Sequence, residues 1–172
     1  MSQKELHPIQ TSLKGDIQVP GDKSISHRAV IFGALANGKT TITNFLDGED
    51  CLRTINAFKS MGVVIEKEGK TVIINSKGVE SLQEPTQPIY LGNSGTTTRL
   101  LLGVLAGLPY HFSLYGDDSL TKRPMDRIVK PLREMGAIID GRENGNYLPL
   151  SVRGAELDSI SFQTPVKSAQ VK

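Results

Sequence analysis

The feature that most constrains the fold is an internal repeat with an offset of about 70 residues. The stretch GALANG at Gly33 matches GVLAGL at Gly103, and the helix end KSMGVVIE, with Met61, matches REMGAIID, with Met135. Strand-like TVIINSKG and LPLSVRG close the two copies. A repeat of this length indicates one supersecondary unit used in succession, each burying its apolar face against a neighbour.

Each copy has the pattern β-α-β-α-β-β when apolar spacing is compared with the helical and strand periods. The first copy predicts strands over 16–19, 40–44, 63–66 and 71–74 and helices over 24–36 and 50–61. The second predicts strands over 89–91, 111–115, 137–140 and 148–152 and helices over 95–106 and 120–135. The chain is therefore expected to be an α/β protein with units at about 14–76 and 88–154.

A third, incomplete unit over about 158–172 begins at Ile160, and its first helix would open at about Ser168. One helical turn cannot bury its own apolar face, and isolated helices of that length are marginal in water. The sequence is therefore interpreted as a fragment of a longer protein. Apolar surface left uncovered by the shortened helix is expected to promote self-association, which sedimentation at several concentrations would detect.

The stretch Gly33–Thr40 reads G-x-x-x-x-G-K-T, the motif with which nucleotide hydrolases bind phosphate. That motif requires a strand before it and a helix after it, so that the helix N-terminus faces the phosphates. Here a helical pattern comes first, Asn37-Gly38 ends it, and the β-branched stretch TTITNF follows. Because the order is reversed, a helix C-cap with Lys39 in solvent is favoured over a nucleotide site.

Composition argues against several classes of function. The net charge is only +2 and aromatic residues make up 5%, without tryptophan, so no nucleic-acid partner is expected. The longest apolar run, Leu100–Leu108, is about half the ~20 residues that a membrane span needs, so no membrane partner is expected either. Cys51, the single cysteine, cannot form an internal disulfide, which favours a cytoplasmic protein.

Each copy has a loop of small or hydroxyl residues where its first helix begins. These loops are PGDKSISHR over 20–28, LGNSGTTTR over 91–99 and TPVKSAQ over 164–170. Helix N-termini attract phosphate and carboxylate through free N–H groups and the positive end of the dipole. The first loop adds Lys23 and Arg28, the latter on the same helix face as Ser24. Three such openings favour a composite anion site, although capping and Gly-rich turns would explain them singly.

A fourth cationic stretch, Lys122–Arg127, places two cations before Pro124, a residue that suits a first helical turn. Cations there oppose the helix dipole unless an anion lies nearby, and a solvated charge pair is the other interpretation. Cys51 follows acidic residues that disfavour a thiolate, so it is interpreted as a packed, inert thiol. His27 could contact a ligand or could serve the structure alone.

Together, PGDKSISHR, GNSGTTTR, TKRPMDR and SAQVK resemble the 5-enolpyruvylshikimate-3-phosphate synthase family, over about Leu13 to Lys172 and in the family's order. The resemblance implies the enolpyruvyl transferase fold, an inside-out α/β barrel of two similar domains with three βαβαββ units each. Residues 20–172 would be a truncated N-terminal substrate-binding domain, and residues 1–19 a strand segment that pairs with the absent second domain. The full-length form is expected to be a monomer.

The family's reaction transfers the enolpyruvyl group of phosphoenolpyruvate to the 5-hydroxyl of shikimate 3-phosphate and releases phosphate, in the pathway to aromatic amino acids. The resemblance implies no metal or organic cofactor. In this family the residues that move protons come mainly from the second domain. These 172 residues are therefore expected to have no turnover alone and at most to bind substrate.

The resemblance also implies which residues hold shikimate 3-phosphate: Lys23, Ser24, Arg28, Ser168 and Gln170. Lys23 would be the anchor shared by both substrates, bridging their anionic groups. Two departures from the family pattern occur beside Ser168. Many relatives have a second serine where this chain has Ala169, and Lys167 occupies a place where a small neutral residue is expected.

For phosphoenolpyruvate, the resemblance implies contacts from Asn93, Gly95 and Arg123, and Gln170 also reaches this substrate. Glycine lets a ligand approach the backbone closely. In this family the glycine at this position admits the inhibitor glyphosate, so the intact enzyme is expected to be sensitive to it.

Three alternatives stand beside this hypothesis. A UDP-N-acetylglucosamine enolpyruvyl transferase shares the fold and the donor, but it would have a catalytic cysteine in the second copy, where none occurs. A P-loop nucleotide hydrolase would depend on Lys39 instead of Lys23. A non-catalytic module would use the same helix openings only to bind anions.

Overall fold

The structure, a computed structural model, describes residues 4–5, 7–8, 11–164 and 168–171 and contains two α/β units in succession. The first unit consists of α1 (Lys23–Leu35), β1 (Asn37–Ile42), α2 (Glu49–Ser60), β2 (Val64–Glu68) and β3 (Thr71–Lys77). The second consists of β4 (Ile89–Tyr90), α3 (Gly95–Leu105), β5 (His111–Tyr115), α4 (Asp126–Glu134), β6 (Ile138–Gly141), the short α5 (Arg142–Gly145) and β7 (Tyr147–Arg153). The predicted α/β class and the succession of similar units are confirmed.

Both leading helices begin with a side chain that caps the first turn. Asp22 accepts a hydrogen bond from the Ile25 backbone N–H at 2.7 Å and begins α1. Ser94 accepts one from the Thr97 backbone N–H at 3.2 Å and begins α3. These caps satisfy backbone donors that have no partner inside the helix. The two helix N-termini therefore lie at the loops from which the sequence predicted them.

Each unit has one small sheet against which its helices pack. In the first sheet, β3 lies between β1 and β2 and is antiparallel to both. In the second, the strand order is β4-β5-β7-β6, with β4 parallel to β5 and the other pairs antiparallel. Alternate side chains of the inner strands are buried, among them Val72, Ile74, Leu150 and Val152. Helices α2 and α3 pack against each other and join the two units.

The Gly33–Thr40 stretch joins a helix to a strand, as its flanks predict. Gly33 lies in α1, where an added Cβ would come within 2.9 Å of Ile74 Cδ1. Lys39 is exposed and lies in β1 opposite Asn75. The glycine thus permits close packing of the helix on the sheet, and the stretch is not arranged to bind nucleotide phosphates.

Two predicted elements are wrong. Residues 16–19 form no strand, and Ile17 is 87% exposed, because no neighbouring strand pairs with this segment within the described residues. The helix predicted over 120–135 is divided into a 3₁₀ turn at Leu120–Lys122 and α4. The division arises because Pro124 restricts the preceding residue, and Arg123 is extended with φ −92° and ψ 127°.

The third helix opening is described only in part. Residues 168–171 form a turn in which the Val171 backbone N–H donates to Ser168 O at 3.2 Å. Lys167 lies outside the described residues. Among the helices that the structure describes, none combines the length and apolar character required to cross a membrane.

Candidate functional site

Three residues singled out from the sequence line one cavity of about 450 Å³. Lys23 is the first residue of α1, Asn93 precedes α3, and Arg123 lies between the 3₁₀ turn and α4. The rest of the lining comes from the start of α2 and the loop before it, namely Leu46, Gly48, Glu49, Asp50 and Cys51. Elements of both units therefore meet here, with two cations and the openings of two leading helices.

Lys23 is held at the cavity by an ion pair within the first unit. Its ammonium donates a hydrogen bond to Asp50 Oδ2, and the two side chains are 48% and 22% exposed. A half-exposed pair of this kind contributes little to stability, because water and salt screen it. It does fix the position of the cation, and an incoming anion would have to compete with the Asp50 carboxylate.

Gly95, the first residue of α3, is buried among guanidinium groups. A Cβ at this position would lie 2.7 Å from Arg99 Nη1 and 3.4 Å from Arg123 Nη1. Any larger side chain would therefore displace these cations or close the space beside them. The absence of a side chain at Gly95 therefore allows both guanidinium groups to lie close to the α3 backbone.

Arg99 brings an uncompensated positive charge to the same region. It is only 9% exposed, and it donates to the backbone oxygens of Gly95 at 3.3 Å and Pro124 at 3.1 Å. No carboxylate pairs with Arg99 within the described residues, and its Nε has no partner there. Burial lowers the pKa of Arg99, and the neighbouring Arg127 and Arg123 lower it further. Such a cluster favours a bound anion.

The remaining predicted site residues are only partly gathered at the cavity. Gln170 Nε2 donates to Thr96 Oγ1 at 3.3 Å, which brings the third opening next to Gly95. Ser168 accepts a hydrogen bond from the Gln170 backbone N–H at 3.3 Å. Ser24 and Arg28 are exposed on α1 and do not belong to the cavity lining as the structure describes it.

Cys51 is a packed thiol, as its acidic neighbours predicted. It is fully buried, with its sulfur 3.8 Å from the Lys23 backbone oxygen. Burial raises its pKa to about 11, with a smaller opposing effect of Lys23. A thiol of this pKa is almost entirely protonated at neutral pH, so it is a poor nucleophile.

His27 is fully buried and contacts other polar side chains. Its Nδ1 lies 2.7 Å from Thr54 Oγ1, and Nε2 has no partner within the described residues. Burial, and to a lesser degree the positive charge of Lys23, lower the pKa of His27 to about 4. The imidazole is therefore neutral at physiological pH, which supports the structural interpretation of this residue.

The lowered pKa of His27 predicts that the fold loses stability on mild acidification. The unfolded chain binds this proton below about pH 6.5 and the folded chain only near pH 4, so stability falls as the pH decreases through that window. Between about pH 7 and pH 5 the loss from this one group should be about 2 kcal/mol. Urea unfolding at the two pH values measures it.

The matched variant for that experiment is His27→Asn, which keeps an N–H donor near Nδ1 and does not titrate. Its unfolding free energy should change between the two pH values by about 2 kcal/mol less than that of the parent chain. Equal pH dependence of the two chains would show that His27 takes up its proton in the folded state as readily as in the unfolded state.

Sequence reasoning missed three contributors to this region. Arg99 is the last residue of the motif GNSGTTTR. Its position directly before the apolar run Leu100–Leu108 was a signal that it could be buried. Asp50 had been noticed only as an acid near Cys51. Thr54, the partner of His27, gave no signal, because it meets Thr97 only through the packing of α2 on α3.

Comparison with known proteins gives consistent relationships. A family model for EPSP synthase (3-phosphoshikimate 1-carboxyvinyltransferase) matches residues 8–172. The 3-phosphoshikimate 1-carboxyvinyltransferase of Oceanobacillus iheyensis is 62% identical over 172 residues, which are all of this chain and 40% of that protein. The corresponding protein of Bacillus licheniformis is 59% identical over 162 residues, which are 94% of this chain and 38% of that protein.

The structural comparison agrees with the sequence comparison. A solved structure of EPSP synthase from Acinetobacter baumannii is 48% identical and has a TM-score of 0.88, covering 92% of this chain and 36% of that one. This chain thus spans about 40% of the length of the curated relatives described above.

Proposed function

This chain belongs to the EPSP synthase family, and from that membership we propose that it is part of an enzyme that transfers an enolpyruvyl group. It has the α/β fold of the enolpyruvyl transferases. In the proposed reaction the 5-hydroxyl oxygen of shikimate 3-phosphate loses its proton and bonds to C2 of phosphoenolpyruvate. The bond from C2 to the phosphate oxygen breaks, and the phosphate leaves having gained a proton. The observation that carries the proposal is the cavity lined by Lys23, Asn93 and Arg123.

At the phosphoenolpyruvate end, Arg123 and Lys23 are the proposed cationic partners, with Asn93 beside them. Phosphate and carboxylate groups bind most strongly to guanidinium and ammonium donors through charge-assisted hydrogen bonds. Gly95 leaves the space next to Arg123 open, and Arg99 adds positive charge behind it. The same open space is proposed to admit glyphosate.

At the shikimate 3-phosphate end, Lys23 is the proposed shared anchor, with Ser24, Arg28, Ser168 and Gln170 as further contacts. Of these, Ser24 and Arg28 lie on the exposed side of α1. The contact of Gln170 with Thr96 supports a role at the junction of the two substrates. A cytoplasmic location remains part of the proposal and rests on the single buried cysteine.

The isolated 172-residue chain is expected to have no turnover. General acid–base catalysis is most efficient when the pKa of the group that moves the proton lies near the working pH. No histidine lines the cavity as far as the structure describes it, and Cys51 has its pKa raised to about 11. A phosphate-release assay with both substrates should therefore give the same rate for this chain and for its Lys23→Ala variant. A rate clearly above that of the variant would contradict the prediction.

Calorimetry tests the proposed substrate class on the same chain. We expect weak binding of shikimate 3-phosphate and none of ATP or UDP-N-acetylglucosamine. If ATP binding is detected and Lys39→Ala abolishes it, the nucleotide hydrolase is supported instead. Binding of UDP-N-acetylglucosamine would support the enolpyruvyl transferase that acts on that nucleotide sugar.

A further inference from the structure

Beneath the cavity, a buried chain of polar side chains connects α1, α2 and α3. His27 Nδ1 lies 2.7 Å from Thr54 Oγ1, which lies 2.9 Å from Thr97 Oγ1. Thr97 Oγ1 also lies 2.7 Å from Ser94 Oγ and donates to the Asp50 backbone oxygen at 3.1 Å. The four side chains from His27, Thr54, Ser94 and Thr97 are at most 1% exposed. We call this set the hydroxyl network.

The direction of each hydrogen bond in the hydroxyl network follows from counting protons. A backbone carbonyl can only accept, so Thr97 gives its single hydroxyl proton to Asp50. Thr54 and Ser94 must then donate to Thr97, since each contact needs one proton. Having spent its own proton, Thr54 can only accept from His27. His27 is therefore the neutral tautomer that carries its proton on Nδ1.

The hydroxyl network ends next to the groups that line the cavity. His27 lies four residues after Lys23 on α1, and Asp50 pairs with Lys23 through its side chain while accepting from Thr97 through its backbone. Ser94 stands between Asn93 and Gly95 at the start of α3. Thr97 is thus hydrogen-bonded to Asp50, the partner of Lys23, and Ser94 is the chain neighbour of both Asn93 and Gly95.

We propose that the hydroxyl network, with His27 as its terminal donor, is a positioning device that holds the leading helices of the two units at the spacing their shared substrates require. The proposal rests on the proposed function for the identity of the substrates. Each hydroxyl proton of the network has an acceptor, so slipping the helices would leave several buried donors without partners. Apolar packing between α2 and α3 would tolerate such a shift at lower cost.

Thr97 and its neighbour Thr98 provide a matched comparison. Both are buried on α3, but Thr98 Oγ1 donates to Ser94 O at 2.8 Å, within one helix, whereas Thr97 bridges between helices. In a full-length enzyme containing this chain, Thr97→Val should raise the KM for phosphoenolpyruvate about tenfold, with a smaller change in kcat. Thr98→Val should leave this KM within about twofold of the parent value. Thr97→Ser, which keeps the hydroxyl, should have a KM close to that of the parent enzyme. Equal effects of the two valine variants would overturn the proposal.

Nitrogen-15 NMR of the His27 ring, measured on this chain in the absence of substrate, tests the assigned direction of the hydrogen bonds. We expect a protonated Nδ1 and an unprotonated Nε2, and loss of this single tautomer in Thr54→Val but not in Thr98→Val. A proton on Nε2 in the parent chain would overturn the assigned direction of the hydrogen bonds. If enolpyruvyl transfer is absent from the full-length enzyme while this tautomer is found, the proposed function fails and the network stands.

Discussion

Replacing Lys23 by alanine in a full-length enzyme that contains this chain should lower kcat/KM for phosphoenolpyruvate by about 10²–10³-fold. The change removes a cation from the cavity and also leaves the Asp50 carboxylate there without its partner. A neutral ion pair thus becomes one negative charge facing two anionic substrates. Steady-state phosphate release with both substrates measures the effect.

Lys39→Ala is the matched control for that experiment, because Lys39 is exposed on β1 opposite Asn75 and lies away from the cavity lining. Its kcat/KM should remain within about twofold of the parent enzyme, as for most surface changes. If Lys39→Ala abolishes activity and Lys23→Ala does not, the GxxxxGKT stretch is the functional phosphate loop and the proposed site is wrong.

Gly154→Ala should unfold or severely destabilise the chain, by at least about 3 kcal/mol. Gly154 follows β7, and its backbone N–H donates to Tyr110 O at 3.0 Å. A Cβ there would lie 1.5 Å from Leu108 O and 2.5 Å from the Leu108 carbonyl carbon. Because both atoms belong to the backbone, relief requires that β7 move away from the end of α3. Thermal unfolding followed by circular dichroism measures the loss.

Gly103→Ala, the same substitution inside α3, should have the opposite effect. A Cβ at Gly103 meets nothing within 4 Å, and alanine is the better helix former by about 0.5–1 kcal/mol. This variant should therefore be slightly more stable than the parent chain. Similar losses for both glycines would mean that backbone flexibility, and not the contact with Leu108, decides the cost at Gly154.

Local signals in the sequence were sufficient for most of the fold. Capping by Asp22 and Ser94 is decided within one helical turn, so both leading helices begin where the letters predict. The residues before α4 show the limit of this approach. Pro124 was recognised, but its steric restriction on Arg123 outweighed the helical periodicity that continues on both sides.

Part of the cavity lining could be anticipated from the sequence and part could not. Lys23 was singled out because a cation at a helix opening has a direct chemical meaning, whereas Asn93 and Arg123 were expected from the family resemblance. The hydroxyl network could not be predicted, because the sequence alone does not distinguish a helical threonine that faces solvent from one that bridges two helices. The failure at 16–19 has a similar cause, since a strand depends on a neighbour that local spacing does not specify.

The ion pair between Lys23 and Asp50 has a consequence for selectivity. When an anionic ligand binds to Lys23, the ammonium exchanges the Asp50 carboxylate for the ligand. The electrostatic gain is therefore only the difference between the attraction to the ligand and the attraction to Asp50. A single carboxylate gains almost nothing by such an exchange. A dianionic phosphate gains more, and the pocket thereby discriminates by charge density before it recognises shape.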